Sequence, residues 1–337
     1  MTKHPFISKS IKDYISGFDK GFDVENINDS LIMAANDIRG VLIPAELYDA
    51  LIDSEIPIEE TDPPADPPVE PPDNADQIAE ALERLRFCMA PLAIYKHFIW
   101  LQLRVSNNGI TTYKGQDETT AFKSQMDEAK ESLMTRFGVF FKELIDYLEE
   151  NIPDPAEEEP AEGETYENIF SYWANSDQKK ELDALLIKSY RDFDNYFQTE
   201  GNAAFFIRSR IFQQEAFDEI NAHIKIAPII DAETKDEAKI RKLKKALAYL
   251  TISRAVFEWD ISLLPLLVQR VIIGVNSKEY EETKRELSAK YQNYAYYILK
   301  GIDIQNEADK AETDSPDEPV SLTTPEVNKH DKHYLML

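Results

Sequence analysis

Apolar residues recur at three- and four-residue spacing along most of this chain, the period of an amphipathic helix. Asp29 to Arg39 places Leu31, Ala34, Ala35 and Ile38 on one face, with Asn28 suited to the N-cap and Gly40 to the stop. Pro44 suits the first turn of a short helix running to about Ile52. Ala75 to Leu103 carries apolar residues through Leu82, Leu85, Met89, Leu92, Ile99 and Leu103, with a kink expected at Pro91. Thr119 to Glu150 is a further long helix, apolar at Phe122, Met126, Ala129, Leu133, Phe137, Phe140, Phe141, Leu144 and Leu148. The second half predicts helices over Gln178 to Phe197, Ala203 to Ile224, Thr234 to Arg270 (with a kink at Pro265) and Lys278 to Leu299. Only Arg104 to Tyr113 reads as β: Asn108-Gly109 lies between β-favouring residues, a hairpin signal, with an ordered loop as the alternative. The expected fold class is all-α.

The pattern repeats. Lys9-Ser10-Ile11-Lys12-Asp13-Tyr14-Ile15-Ser16-Gly17-Phe18 lies over Lys188-Ser189-Tyr190-Arg191-Asp192-Phe193-Asp194-Asn195-Tyr196-Phe197, with Lys, Ser, Asp and Phe identical. Met126 to Leu133 lies over Tyr280 to Leu287, and the same register pairs Arg136-Phe137 with Lys290-Tyr291 and Leu144-Ile145 with Ile298-Leu299. Chance matching of Lys/Glu-rich helices is the competing account. The order of matches at both ends predicts two tandem copies of one helical unit, the first carrying extra loop.

Charge marks the boundaries. The 337 residues hold 63 Asp+Glu against 37 Lys+Arg, a formal net charge of −26. Asp53 to Asp76 has nine acids, seven prolines and no base; Asp154 to Glu164 has six acids and no base; Glu307 to Leu337 has eight acids against three lysines. Such stretches bury little apolar surface, so they are expected to be disordered. The division is a first helical unit over 1–151 with a Pro/acid insert at 53–76, an acidic linker and short helix over 152–177, a second unit over 178–302 and an acidic tail over 303–337. Solvated spacers are one reading of the acid; the other is a surface that repels DNA or steers a basic partner.

Catalytic and cofactor signatures are sparse. No GxGxxG, Walker A, HExxH or CxxC occurs, and Gly numbers only 10. The single cysteine, Cys88, sits among Phe87, Met89 and Leu92 and reads as a packed thiol. His97 reads as a partly buried or surface histidine of a long helix. Glu219 and His223 are spaced to share a metal, without a second pair, and His330 and His333 fall in the tail. Trp100, Trp173 and Trp259, with Tyr294, Tyr296 and Tyr297, read as core or subunit contact. The most apolar run, Ile261 to Val275, is interrupted by Pro265, Gln269 and Arg270 and is too short to span a bilayer. These residues imply no enzyme, no cofactor, no metal, no membrane and no sequence-specific nucleic-acid binding.

The run Val105-Ser106-Asn107-Asn108-Gly109-Ile110, then Lys114-Gly115, an acidic stretch and Leu144-Ile145-Asp146-Tyr147-Leu148-Glu149-Glu150-Asn151, resembles an uncharacterised helical family of tailed phages and prophages of Bacteroides-type bacteria. Tyr190 to Phe197 shares that resemblance, which covers about residues 5–300. The family in turn is similar to head–tail connector, or head-completion, adaptors. The resemblance implies a non-enzymatic virion protein, ringed with copies of itself at the portal vertex and touching portal and tail or neck proteins, assembled in the host cytoplasm around a channel that lets DNA pass. The alternative is a bacterial helical interaction scaffold with no virion role. Partner contacts are expected at the hairpin (Arg104, Asn107, Asn108, Gly109, Tyr113) and at the apolar end Tyr334, Leu335, Met336 and Leu337.

Overall fold

A computed structural model describes residues 3–6, 9–15, 27–54, 74–98, 103–106, 109–112, 123–154, 166–230, 236–273 and 279–313. The fold is all-α, with one two-stranded antiparallel hairpin.

In the first half, a 3₁₀ turn (Ile11–Asp13) leads to α1 (Asn28–Ile38), α2 (Ala45–Asp53), α3 (Ala75–His97), the strands β1 (Leu103–Ser106) and β2 (Gly109–Thr112), and α4 (Lys123–Glu150). Then come α5 (Ser171–Ala174) and α6 (Asp177–Ala184). The second half runs α7 (Tyr190–Asp194), α8 (Ala203–Arg208), α9 (Arg210–His223), α10 (Ala227–Ile230), α11 (Glu237–Glu258), a 3₁₀ turn (Ile261–Leu263), α12 (Leu266–Ile273) and α13 (Tyr280–Thr313).

The halves share order and packing. In the first, α3 packs along α4 and α1; in the second, α11 packs along α13 and α9. The buried face of α4, Phe137, Phe141, Leu144, Ile145 and Leu148, falls on Tyr291, Ala295, Ile298, Leu299 and Ile302 of α13, all buried or packed against the core. On α1 and α9 the buried sets are Ser30, Leu31, Ala34, Ala35 and Ile38 against Phe212, Gln213, Ala216 and Ile220, with Phe217, at the Ala35 position, partly buried. Each half also opens on a serine cap: Ser10 Oγ accepts the Lys12 N–H, and Ser189 Oγ accepts the Asp192 N–H.

Several boundaries differ from expectation. Asn28 is the first helical residue of α1, with Ile27 as the cap, and its side chain meets His4 Nε2 at 3.1 Å instead of the helix backbone. α3 continues through the buried Pro91 but ends at His97, so Leu103 falls in β1. The single helix expected over Gln178 to Phe197 is α6 and α7, because Leu185 is extended and Ser189 caps a new start. Ser209 likewise divides α8 from α9. α11 stops at Glu258, where Trp259 is extended and Asp260 caps the following 3₁₀ turn; Pro265 precedes α12 instead of kinking one long helix. Residues 303–313, expected as disordered tail, continue the helix α13. The remainder of the tail and most of both acidic inserts lie outside the described residues.

In the hairpin, Leu103 pairs with Thr112, Arg104 with Thr111, Val105 with Ile110 and Ser106 with Gly109. Gly109 therefore opens β2, and the two positions between the strands are Asn107 and Asn108, not the Asn-Gly dipeptide.

Candidate functional site

Of the residues singled out for partner contact, Arg104 and Gly109 are placed by the hairpin register. Asn107, Asn108, Tyr113 and the end Tyr334, Leu335, Met336 and Leu337 lie outside the described residues. Cys88 is buried, its Sγ–H donating to the Leu85 carbonyl at 3.2 Å, and burial pushes its thiol pKa up. His97 is buried rather than exposed, with Nδ1 3.1 Å from Ser30 Oγ. Glu219 pairs with Arg254 and accepts from the Tyr296 hydroxyl, while His223 stands edge-on to the Tyr296 ring. Among the described residues, no three His, Cys, Asp or Glu side chains come together to hold a metal, and no helix is long and apolar enough to cross a membrane.

Two surface features are not evident from periodicity alone. The first is a difference between the outer faces of the halves. Ile211, Phe257 and Tyr297 are 57%, 59% and 76% exposed. In the helix registers above, Ile211 and Tyr297 correspond to Asp29 and Glu143, both charged and exposed. With Leu82, Leu85 and Met89 of α3 set over Leu243, Ala246 and Leu250 of α11, Phe257 corresponds to Lys96, which is half-buried where the halves meet. The fold needs no apolar side chain at these positions, since the first half makes the same helix packing with charges there. Phe257 also borders a surface recess between α11 and α13 that includes Arg285, Ala289 and Gln292.

The second is a cavity where the halves meet, about 80 Å³ in volume. α3 and α4 supply Leu92, Met134 and Phe137; α8 supplies Phe205 and Arg208; the turn before α12 supplies Leu264. Local structure fixes its rim. The Asp194 carboxylate accepts the Thr199 N–H at 2.7 Å and the Gly201 N–H at 2.6 Å. Asn202 then caps α8 by accepting the Phe205 N–H at 2.8 Å. Between these anchors Glu200 has φ 60°, the only positive φ of a non-glycine residue among those described. A left-handed non-glycine residue costs on the order of 1 kcal/mol, and the Asp194 clamp holds it.

Charge at this seam is unevenly satisfied. Lys96 Nζ and the Asp37 carboxylate pair at 2.6 Å. Among the described residues Arg208 reaches only the Asp37 backbone carbonyl, at 3.4 Å, and its buried Nε–H has no hydrogen-bond partner there. Burial lowers the Arg208 pKa, with the Asp37 charge opposing that shift. A sequence scan for catalytic motifs passes over this arginine, since only the tertiary fold brings α8 against the C-terminal ends of α1 and α3.

A family model described as "Family of unknown function (DUF6712)" matches residues 40–166, from the turn before α2 to just beyond α4, less than half of the chain. No curated protein and no solved structure matches the chain.

Proposed function

We propose that this chain is a non-enzymatic assembly protein built from two copies of one helical unit, and that it joins head to tail with further copies of itself into a ring at the neck of a virion. The observation that carries the assembly reading is the exposure of Ile211, Phe257 and Tyr297 on the second unit, two of them at positions where the first unit has the exposed charges Asp29 and Glu143. Exposed aromatic side chains are favoured interface anchors, because they bury large area at low entropy cost. The second unit exposes more large apolar side chains than the first, where Met33, Val41 and Val139 are also exposed. Such a difference suits a heterologous contact, in which each chain's second unit meets a different surface of the next. Heterologous contacts close into rings when the rotation between copies allows. The location at the portal vertex rests on the resemblance to connector adaptors, and the acidic balance of −26 suits a wall that DNA passes without sticking.

Sedimentation and negative-stain electron microscopy of the purified chain test this. The expected result is ring-shaped oligomers, lost in the double variant Phe257→Lys, Tyr297→Glu, while its unfolding midpoint stays within about 0.5 kcal/mol of the parent. A parent chain that remains monomeric across the accessible concentration range, or a double variant that assembles normally, contradicts the proposal. The presence of the chain in purified particles, measured by mass spectrometry, separates a virion protein from a cellular scaffold that assembles by the same face.

A further inference from the structure

We infer that the cavity between the two halves is a binding site for a short aliphatic carboxylate, received by the Arg208 guanidinium. Three independent observations lead there. The space, about 80 Å³, is several times the 10–15 Å³ or so that one water requires by that measure. Its walls are largely apolar, with Leu92, Met134, Phe137, Phe205 and Leu264 among them. Into this seam the protein places the Arg208 guanidinium, whose hydrogen bond among the described residues is to a backbone carbonyl and not to a carboxylate.

The charges nearby define what is missing. The charged lining residues are Asp37, Lys96, Glu200 and Arg208. The Asp37 carboxylate is engaged by Lys96, and Glu200 acts electrostatically on Arg270. Among the described residues no side-chain carboxylate hydrogen-bonds Arg208, and burying a cation without such a partner is unfavourable. A carboxylate supplies the acceptor in the geometry a guanidinium prefers, and an apolar stem of about three to five carbons fills the remaining space. Water alone would leave the apolar walls facing solvent; the Nε–H is sealed from the cavity, so a carboxylate there meets the outer nitrogens of the guanidinium. The left-handed Glu200 at the rim is the kind of local strain that ligand clamps retain.

The matching chemistry has two sources, a free short-chain acid and the propionate-like side chain of a glutamate on a second copy of this chain. The test titrates the full chain with sodium valerate by calorimetry and thermal shift, using 1-pentanol as the neutral match. Valerate is expected to bind and to raise the melting temperature, with pentanol at least tenfold weaker. Arg208→Gln should weaken valerate binding by tenfold or more.

Since Arg208→Gln removes a group at the seam, a second variant keeps the result interpretable. Gly138 lines the cavity, and a Cβ there meets no atom within 4 Å. Gly138→Leu should therefore fold, because leucine favours a helix over glycine, and should abolish valerate binding by occupying the space. Valerate binding no tighter than pentanol, or valerate binding unchanged in Gly138→Leu, overturns the inference. Sedimentation at saturating valerate separates the sources: dissociation of oligomers assigns the natural carboxylate to a neighbouring copy, and unchanged association assigns it to a free acid. The titration needs no self-association, so the ring reading and the carboxylate site succeed or fail separately.

Discussion

The α3–α4 pair of the first half and the α11–α13 pair of the second solve one packing problem with different side chains. At the position that is Phe141 in α4, α13 has Ala295, and both are fully buried. On the partner helix, in the register that sets Leu82, Leu85 and Met89 over Leu243, Ala246 and Leu250, Cys88 of α3 corresponds to Tyr249 of α11, whose ring stands 5.9 Å from that of Tyr291 at the Phe137 position. Large and small have changed sides while the helix pairs keep their order. Cores tolerate such exchanges when the total volume between two elements is preserved. Exposed positions obey no such constraint: Glu143 in one half stands where the exposed Tyr297 stands in the other, and the exposed Met33 stands where the other has Glu215.

The largest predicted effect tests this size exchange. Phe141→Ala removes a fully buried ring stacked 5.7 Å from Phe137 and should cost about 3–5 kcal/mol in urea unfolding. Adding Cys88→Tyr should recover part of that loss, since it recreates the arrangement of the second half. Non-recovery, with the double variant as unstable as the sum of the singles, would break the correspondence between the two pairs.

Helix existence was legible because the apolar spacing of α1, α3, α4, α9, α11 and α13 matches the faces they bury. The breaks were less legible. Ser189 and Ser209 interrupt apolar runs that periodicity alone continues, since a serine inside a helix and a serine at its end look alike until tertiary packing decides. Pro91 and Pro265 show the same limit: one is carried inside a helix and the other precedes a new one. The hairpin was visible in its β-favouring residues, but its register differed by one position. The seam cavity was not legible, because Asp37, Lys96 and Arg208 are brought together only by the docking of the two halves.

Acid response should differ between the halves and rank second in size. His97 is buried in the first half, whereas its counterpart in the second, Glu258, is exposed. Burial lowers the His97 pKa, so the unfolded chain, titrating near 6.5, takes up a proton more readily than the folded one. His97 thus contributes stability above that pH, and the contribution falls as pH drops through 6.5 toward the lower folded value. Glu83 adds a second loss at lower pH. Burial raises its pKa, but hydrogen bonds from Lys9, Tyr14 and Arg86 outweigh burial and hold it below the usual carboxylate value. Its contribution is present above the unfolded carboxylate pKa and disappears as pH falls through the folded one. Hydrogen exchange at decreasing pH should show α1 and α3 opening before α11 and α13. His97→Gln, which perturbs the contact with Ser30, should cost about 1 kcal/mol at pH 7 and should flatten the decline between pH 7 and 5.5. Equal acid opening of both halves would mean that the buried histidine is not what distinguishes them.

The smallest predicted effect concerns how each half anchors its leading segment. Both leads carry a lysine and an aspartate at matching positions, Lys9 and Asp13 in the first, Lys188 and Asp192 in the second. The long helix chooses between them. α3 presents Glu83, which pairs with Lys9 at 3.0 Å; α11 presents Lys244 at the equivalent position, which pairs with Asp192 at 2.7 Å. Lys244→Glu should therefore lose the Asp192 pair but gain Lys188, the residue that stands where Lys9 stands. Such partly exposed pairs contribute about 0.2–1 kcal/mol, so the single variant should unfold within about 1 kcal/mol of the parent. Lys188→Ala should be close to neutral in the parent, where Lys188 is exposed and Lys244 pairs with aspartate. In the Lys244→Glu background it should become destabilising, and the difference between the two backgrounds is the coupling of the re-formed pair. High salt should shrink that difference, because the charges are not fully removed from solvent. A coupling of zero at low salt would show that the two leads sit differently on their helices, and the comparison would then hold for the helix pairs alone.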